Sequence, residues 1–393
     1  MMSEPSPVRF DDTAVAFSYK TNWELRKANF IFTVVNHPTV SGFSTSLAKM
    51  ALDWGLPVKG LIRNTVFQHF CGGETVEESE KTIDILSRFR VGTILDYSVE
   101  GAHTEDGFDA TTAEILHTFE EARKNRSVPF CVFKTTGIAS AELLTKIQAK
   151  VELTSAENEA WQRVQARVDR ICAQAHAYQV PLLIDAEETW LQDPIDGMVR
   201  RMMKKYNHDR ALIFTTIQMY RTDALTRLRE DFHHAAMDNY FYGVKMVRGA
   251  YMEKERERAV ARGYPSPIHP NKEATDDCFN KGLAFCIDNK QRITVMCGSH
   301  NEYSNQFLTV LMAKHGMKPS DKRVWYAQLL GMSDNISFNL AKAGFNVAKY
   351  VPYGPVDSVM PYLIRRAKEN TSVEGQSSRE LTLIRKELRR RKG

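Results

Sequence analysis

Eight short runs rich in β-branched and aromatic residues recur along this chain, and a stretch of helical periodicity follows each of them. The runs are VGTILDYS (91–98), PFCVFKTT (129–136), VPLLIDAE (180–187), ALIFTTIQMY (211–220), GVKMVRGAY (243–251), RITVMCGSH (292–300), RVWYAQLLG (323–331) and FNVAKYVPYG (345–354). The helical stretches occupy 110–124, 156–177, 191–205, 222–238, 272–289, 302–315, 334–342 and 356–370. Strands separated by helices lie parallel, because each helix returns the chain to the same edge of the sheet. Eight such units over about 280 residues match the size of a closed (β/α)8 barrel. An open doubly wound sheet is the competing α/β topology. It is disfavoured because no run is followed by a GxGxxG turn.

The flanks read differently. Residues 1–90 form an expected N-terminal helical arm or cap, with apolar residues at three-to-four spacing in NWELRKANFIFTVVN, SGFSTSLAKMALDW and PVKGLIRNTVFQHF. Thr75 and Glu78 have capping-box spacing ahead of the helix that ends the arm. The segment 140–160 is long for one crossover and predicts an extra helical excursion. The barrel is expected over 91–372 and a basic helix over 373–393.

Chemistry in such a barrel sits at the carboxyl ends of the strands, so the residues ending each run are the candidates. Lys134 ends the second run and needs a counter-charge or a cleft. Asp185 closes the third, followed by Ala186, Glu187 and Glu188; a strand-end Asp also serves as a helix cap. Gln218 ends the fourth. Lys245 and Arg248 alternate with apolar residues in the fifth before Gly249, Ala250 and Tyr251, and two cations at one mouth suit an anionic ligand. Ser299, His300 and Asn301 end the sixth, and Leu330 and Tyr350 mark the seventh and eighth. No metal site is expected, since no second His or carboxylate stands at useful helical spacing from His300. In the last unit Tyr362, Arg365, Arg366 and Glu369 stand at i, i+3, i+4 and i+7, which stacks them on one helix face. Adjacent arginines make a fork for a small carboxylate, and Glu369 can lock one of them. A solvated charge face is the plainer reading of the same spacing.

The stretches LLIDAEETW, IQMYRTD, KMVRGAYMEKERERA, SHNEYS, YAQLLGMSDNISF and KYVPYGPVDSVMPYLIRRAKENTS are together specific. On them the chain resembles the proline dehydrogenase (proline oxidase) family, in its monofunctional form. The resemblance implies a distorted (β/α)8 TIM-like barrel holding FAD noncovalently. It implies oxidation of L-proline to Δ1-pyrroline-5-carboxylate, by hydride transfer from C5 to flavin N5, with electrons passed to a quinone. Arg365 and Arg366 would pair with the proline carboxylate beside Lys134, with Glu369 orienting Arg365. Tyr251, Leu330, Tyr350 and Tyr362 would wall the ring. Asp185 and Lys245 would be the catalytic pair. Ala186, Gln218, Lys245, Arg248, Gly249, Ala250, Ser299, His300 and Asn301 would hold the flavin, and Lys272 and Thr275 would reach its adenosine half. Lys245 stands where many bacterial members carry Arg, keeping the charge without the bidentate fork. Two other activities remain open: oxidation of trans-4-hydroxyproline, which a bulky Tyr350 disfavours, and Schiff-base lyase chemistry at Lys134.

Charge narrows the partners. Between Arg379 and Lys392 seven basic residues face two acidic ones, which accounts for the whole formal charge of +5. Confinement of the excess to one short stretch argues against nucleic acid, whose binders spread it over a face. Ser377 and Glu380 have capping-box spacing, and Leu381, Ile384 and Leu388 share one side of the helix they would open. That predicts either a solvated helix or a basic amphipathic foot in peripheral contact with anionic lipid. The N-terminus lacks a basic region followed by an apolar run, and Glu4, Asp11 and Asp12 oppose a transit peptide, so a cytoplasmic location on the inner face of a respiratory membrane is expected. The six cysteines form no CxxC pair and predict buried free thiols.

Overall fold

All eight runs fold as strands: β1 (Val91–Tyr97), β2 (Phe130–Lys134), β3 (Leu182–Asp185), β4 (Ile213–Gln218), β5 (Tyr242–Val247), β6 (Ile293–Gly298), β7 (Val324–Leu329) and β8 (Val347–Tyr353). They close in chain order into a parallel barrel, as the alternation predicts, and the open-sheet alternative is excluded. The structure is a computed structural model and describes residues 8–35, 60, 63–99, 103–363 and 376–392. Every residue of β4 and of β8 is buried, as expected of strands covered on both faces.

Two units can be recognised, Ala102–Ala327 and Val8–Gly101 with Gln328–Gly393. In the first, crossover helices begin at side-chain caps. Thr104, Asn271 and Asn301 each accept the backbone N–H of a first-turn residue. The expected excursion between β2 and β3 is the helix Ala141–Gln148, followed by the longer Ser155–Tyr178, which opens on a complete Thr154/Glu157 capping box. Strand alternation orients β5. Met246 faces the helix Lys272–Asp288, where a Cβ on Gly282 would meet its Cε at 2.5 Å, so Lys245 points to the opposite, inner face.

In the second unit the helices Asn22–Val35 and Val76–Ser87 form as the periodicity predicts. The segment 41–54, also read as helix, lies outside the described residues. Arg63–Phe67 is a π-helix rather than the expected α-helix, continuing into Gln68–Phe70. Thr75 caps Val76–Ser87, but Glu78 accepts from the Glu74 N–H and not from Thr75, so the capping box is half made. The C-terminal helix spans Gln376–Arg390. Its apolar side is a core face: Leu381, Leu383 and Ile384 share one buried cluster with Leu25, Ala28 and Phe32 of Asn22–Val35. Arg391 donates to the carbonyls of Phe17 and Lys20, and Lys386 to that of Asp11. The side chain of Ser377, the expected capping partner of Glu380, lies outside what the structure describes. Four residues past Gln376 and 6% exposed, Glu380 accepts the backbone N–H of Ser333.

β8 carries a fully buried lysine, Lys349, whose ammonium donates to Asp334 at 2.8 Å and to the carbonyls of Leu329 and Met332. Asp334 also accepts from the Tyr19 hydroxyl at 2.7 Å. Burial works against the Asp334 charge, and Lys349 and Lys20 outweigh it, holding the carboxyl below its ordinary range. Removing one member of such a pair strands the other. Lys349→Met is predicted to lower stability by about 3–5 kcal/mol in urea unfolding, and an unchanged midpoint would contradict the pair's role.

Candidate active site

In the first unit the strand register gathers the polar ends. Lys134 pairs with Asp185 across β2 and β3, and Lys245 pairs with Thr216 across β4 and β5. The Thr216 hydroxyl donates to the carbonyl of Ile184, bringing β3 and β5 within reach of each other across β4. The Lys245 ammonium, 4% exposed, donates to the Asp185 carboxylate. A cation so far from water requires that counter-charge.

Gln218 works from both ends of its amide. Its Nε2 donates to the Glu187 carbonyl at 2.7 Å, and its Oε1 accepts the Ala250 N–H at 3.3 Å. The turn after β3 and the turn after β5 are therefore fixed to one side chain. A second tie lies further out. Glu255, fully buried, accepts from the N–H and the hydroxyl of Thr189, each at 2.6 Å, while Lys254 reaches Glu188 at 3.0 Å. The helix Thr189–Tyr206 has no cap from its own Glu188, so Glu255 supplies one from the helix Met252–Arg262.

Gly249 makes the turn after β5 at φ +137°, a conformation L-residues avoid, and a Cβ there would lie 2.5 Å from the Tyr220 ring. Arg248, just before it, donates from Nε to Asp276 at 2.7 Å, from Nη1 to Ser299 at 2.7 Å and from Nη2 to Ser304 at 2.9 Å. Lys272 pairs with the same Asp276. Burial opposes the Asp276 charge, but Lys272 and Arg248 hold its carboxyl below the usual range. Two cations thus share one carboxylate. Thr275 is buried in the first turn of Lys272–Asp288, its hydroxyl donating to Asn271. Asn301 caps Glu302–Lys314, so one of its roles is structural, and its own N–H donates to Ser299. Ala186, Tyr251 and His300 lie in the turns after β3, β5 and β6, with Ala186, Tyr251 and His300 all half-buried.

The second unit holds Leu330 and Tyr350, both buried, with the Leu330 N–H donating to the Tyr350 carbonyl at 2.8 Å. Tyr362 is buried in a helical segment, residues 356–363, within the cluster that includes Phe70, Val359 and Met332. Arg365, Arg366 and Glu369 lie outside the described residues.

Sequence reasoning passed over several partners. Glu187 is 3% exposed and accepts from the N–H of Thr136 at 2.8 Å and from its hydroxyl. Burial pushes its carboxyl up to about 7, with the Thr136 bonds and Lys134 opposing. Its place in DAEE, two residues beyond the selected Asp185, was the available signal. Glu255 and Thr189 meet between helices, and Ser304 meets Arg248 from the turn after β5, contacts for which spacing in the chain gives no sign; Asp276 stands at i,i+4 from Lys272, which was the available signal.

This end of the first unit offers a buried lysine, a half-buried arginine, an amide bridge, hydroxyl donors and helix N-termini around a glycine turn. That donor set suits a large, phosphate-bearing, hydrogen-bond-rich group. A family model described as Proline dehydrogenase matches residues 79–379. The chain belongs to the proline dehydrogenase family. It is 35% identical over 334 residues to the carbapenem antibiotics biosynthesis protein CarD of Pectobacterium carotovorum subsp. carotovorum, covering 85% of this chain and 86% of that one. It is 31% identical to proline dehydrogenase 1, mitochondrial, of Dictyostelium discoideum, covering 97% of this chain and 74% of that one. It is also 30% identical to the hydroxyproline dehydrogenase of Xenopus laevis, covering 97% and 90%. The proline utilization A structure from Bdellovibrio bacteriovorus, inactivated by N-propargylglycine, matches with a TM-score of 0.73 at 18% identity, over 92% of this chain and 38% of that one. That likeness is one of fold, and it agrees with the family's barrel.

Glu187 makes stability depend on pH in a definite direction. Its folded carboxyl keeps a proton up to about 7, whereas the unfolded group releases it near 4.5. Its contribution is full below the unfolded value and is lost as pH rises through the folded one. Glu187→Gln, which imitates the protonated form, is predicted to flatten the fall in urea stability from pH 5 to 7, by up to about 3 kcal/mol. The same slope in both proteins would count against this.

Proposed function

We propose that the protein is an FAD-dependent dehydrogenase of L-proline, yielding Δ1-pyrroline-5-carboxylate. The observation that carries the reading is the Lys245–Asp185 pair beside the Gln218 bridge and the Gly249 turn, at the strand ends of a family barrel. FAD, when bound, would supply the two-electron acceptor for the hydride that leaves C5. This chain's residues do the rest. Lys245, Gln218, Ala186, Gly249 and Ala250 would meet the flavin ring system; Arg248, Lys272, Thr275, Ser299, His300 and Asn301 would hold the phosphate and adenosine portions.

Arg365 and Arg366, with Lys134, would clamp the proline carboxylate and aim C5, with Glu369 locking Arg365. Leu330, Tyr350, Tyr362 and Tyr251 would exclude water from the pyrrolidine ring. The amine must be neutral before C5 loses hydride, because its lone pair becomes the imine bond. Surrounding cations lower the amine pKa, and the Asp185 carboxylate tempers that field.

Electrons would pass to a membrane quinone. No helix among the described residues is long and apolar enough to cross a membrane. With the apolar side of the C-terminal helix already packed, contact with lipid would be electrostatic, through exposed Arg379, Arg385, Lys386 and Arg389 on the inner face of the membrane.

A 4-hydroxylated ring is the second substrate reading, favoured by the likeness to the Xenopus laevis hydroxyproline dehydrogenase. Tyr350, bulky and buried, would leave it little room if it walls the ring as expected. Competing turnover is predicted to favour L-proline, and a preference for the hydroxylated substrate would reverse the assignment. The protein reconstituted with FAD should be yellow and bleach anaerobically on addition of L-proline, releasing the pyrroline product. Arg366→Ala should weaken proline binding by about 2–5 kcal/mol. A folded protein that takes up no FAD would overturn the proposal.

A further inference from the structure

The loop after β7 is held at successive peptides. Lys349 donates to the carbonyls of Leu329 and Met332, and Leu330 donates its N–H to Tyr350. His69 Nε2 lies 3.1 Å from the Gly331 carbonyl, and the Ser333 N–H donates to Glu380. The path is left-handed at two residues, Gly331 at φ +77°, which glycine adopts freely, and Ser333 at φ +50°, which a residue with a side chain avoids. A non-glycine residue keeps such a conformation only where its surroundings over-determine it.

Ser333 sits at the N-cap position of the helix Asp334–Lys342, and its own side chain makes no cap. Glu380 provides the acceptor instead, from the C-terminal helix 47 residues further on. Two residues before Met332, and tied to Tyr350, is Leu330. The anchors of this loop therefore adjoin Leu330 and Tyr350, two of the three expected walls of the substrate pocket that lie in the second unit. Burial and the neighbouring Asp334 push the Glu380 carboxyl up to about 7, while the Ser333 N–H, Lys349 and Lys20 oppose them. A buried acid that merely filled space would be better replaced by an apolar residue.

We propose that Glu380 is a positioning residue for substrate binding: by accepting the Ser333 N–H it fixes the loop that sets Leu330, which makes the C-terminal helix part of the substrate site. This rests on reading Leu330 as a wall of the proline pocket.

The test compares the FAD-loaded full chain with its Glu380→Ala, Glu380→Asp and Glu380→Gln variants, using L-proline and a soluble dye acceptor, with flavin content measured throughout. Glu380→Ala should raise KM about tenfold with kcat and flavin content little changed, the pattern of lost ground-state positioning. Glu380→Gln keeps an acceptor oxygen at the same reach and should restore KM. Glu380→Asp retains the carboxyl but retracts it by one methylene, and should raise KM even if the alanine variant fails to fold. A lowered melting temperature with KM unchanged in the aspartate variant would overturn the proposal and leave Glu380 a purely structural cap. A wild-type protein that binds FAD without oxidising proline would remove the underlying reading, and with it this inference.

Discussion

A lysine on the inner face of a parallel strand cannot stay charged without a counter-ion, and the candidate site is organised around meeting that demand at Lys245. The answer comes from β3, two strands away, where Asp185 ends a run of four residues. For that pair to form, β3, β4 and β5 must keep register, and the Thr216 hydroxyl and the Gln218 amide pin the strand between them. The turn that carries Gly249 and Ala250 inherits its position from the same amide. The second unit repeats the arrangement at Lys349 and Asp334, where the counter-ion also recruits Tyr19 from the N-terminal segment.

Both pairs place charge where the barrel's connections begin. Parallel strands all end at one face, and every following helix starts there with unsatisfied N–H groups. Glu255 capping Thr189 and Glu380 capping Ser333 use that geometry in the same way: an acid from a later helix completes an earlier one. Such caps tie together loops that the strands alone leave independent.

The barrel was legible because its signal is local and repeated. Each strand announces itself through β-branched and aromatic residues, and each helix through its period. The polar strand ends were legible for the same reason, since Lys134, Asp185, Gln218 and Lys245 interrupt apolar runs. What stayed hidden depends on packing. The C-terminal helix displayed its charge in the sequence, yet its apolar side proved to be core and Glu380 an internal anchor. The reciprocal half of the Thr75 capping box failed because Glu74 offered its own N–H. Glu187 looked like one of the three acids in DAEE, and burial is what distinguishes it. Arg365 and Arg366 lie outside the described residues, and the fork they would make is an expectation from the sequence alone.

The chemistry proposed for these residues has one central commitment, that the bond broken in proline is the C–H at C5, beside a neutral amine. Single-turnover oxidation of L-proline deuterated separately at C5 and at C2 tests it directly. Slowing with the C5 label and not with the C2 label is the predicted result. Slowing with the C2 label alone would place the reaction at the α-carbon and contradict the account.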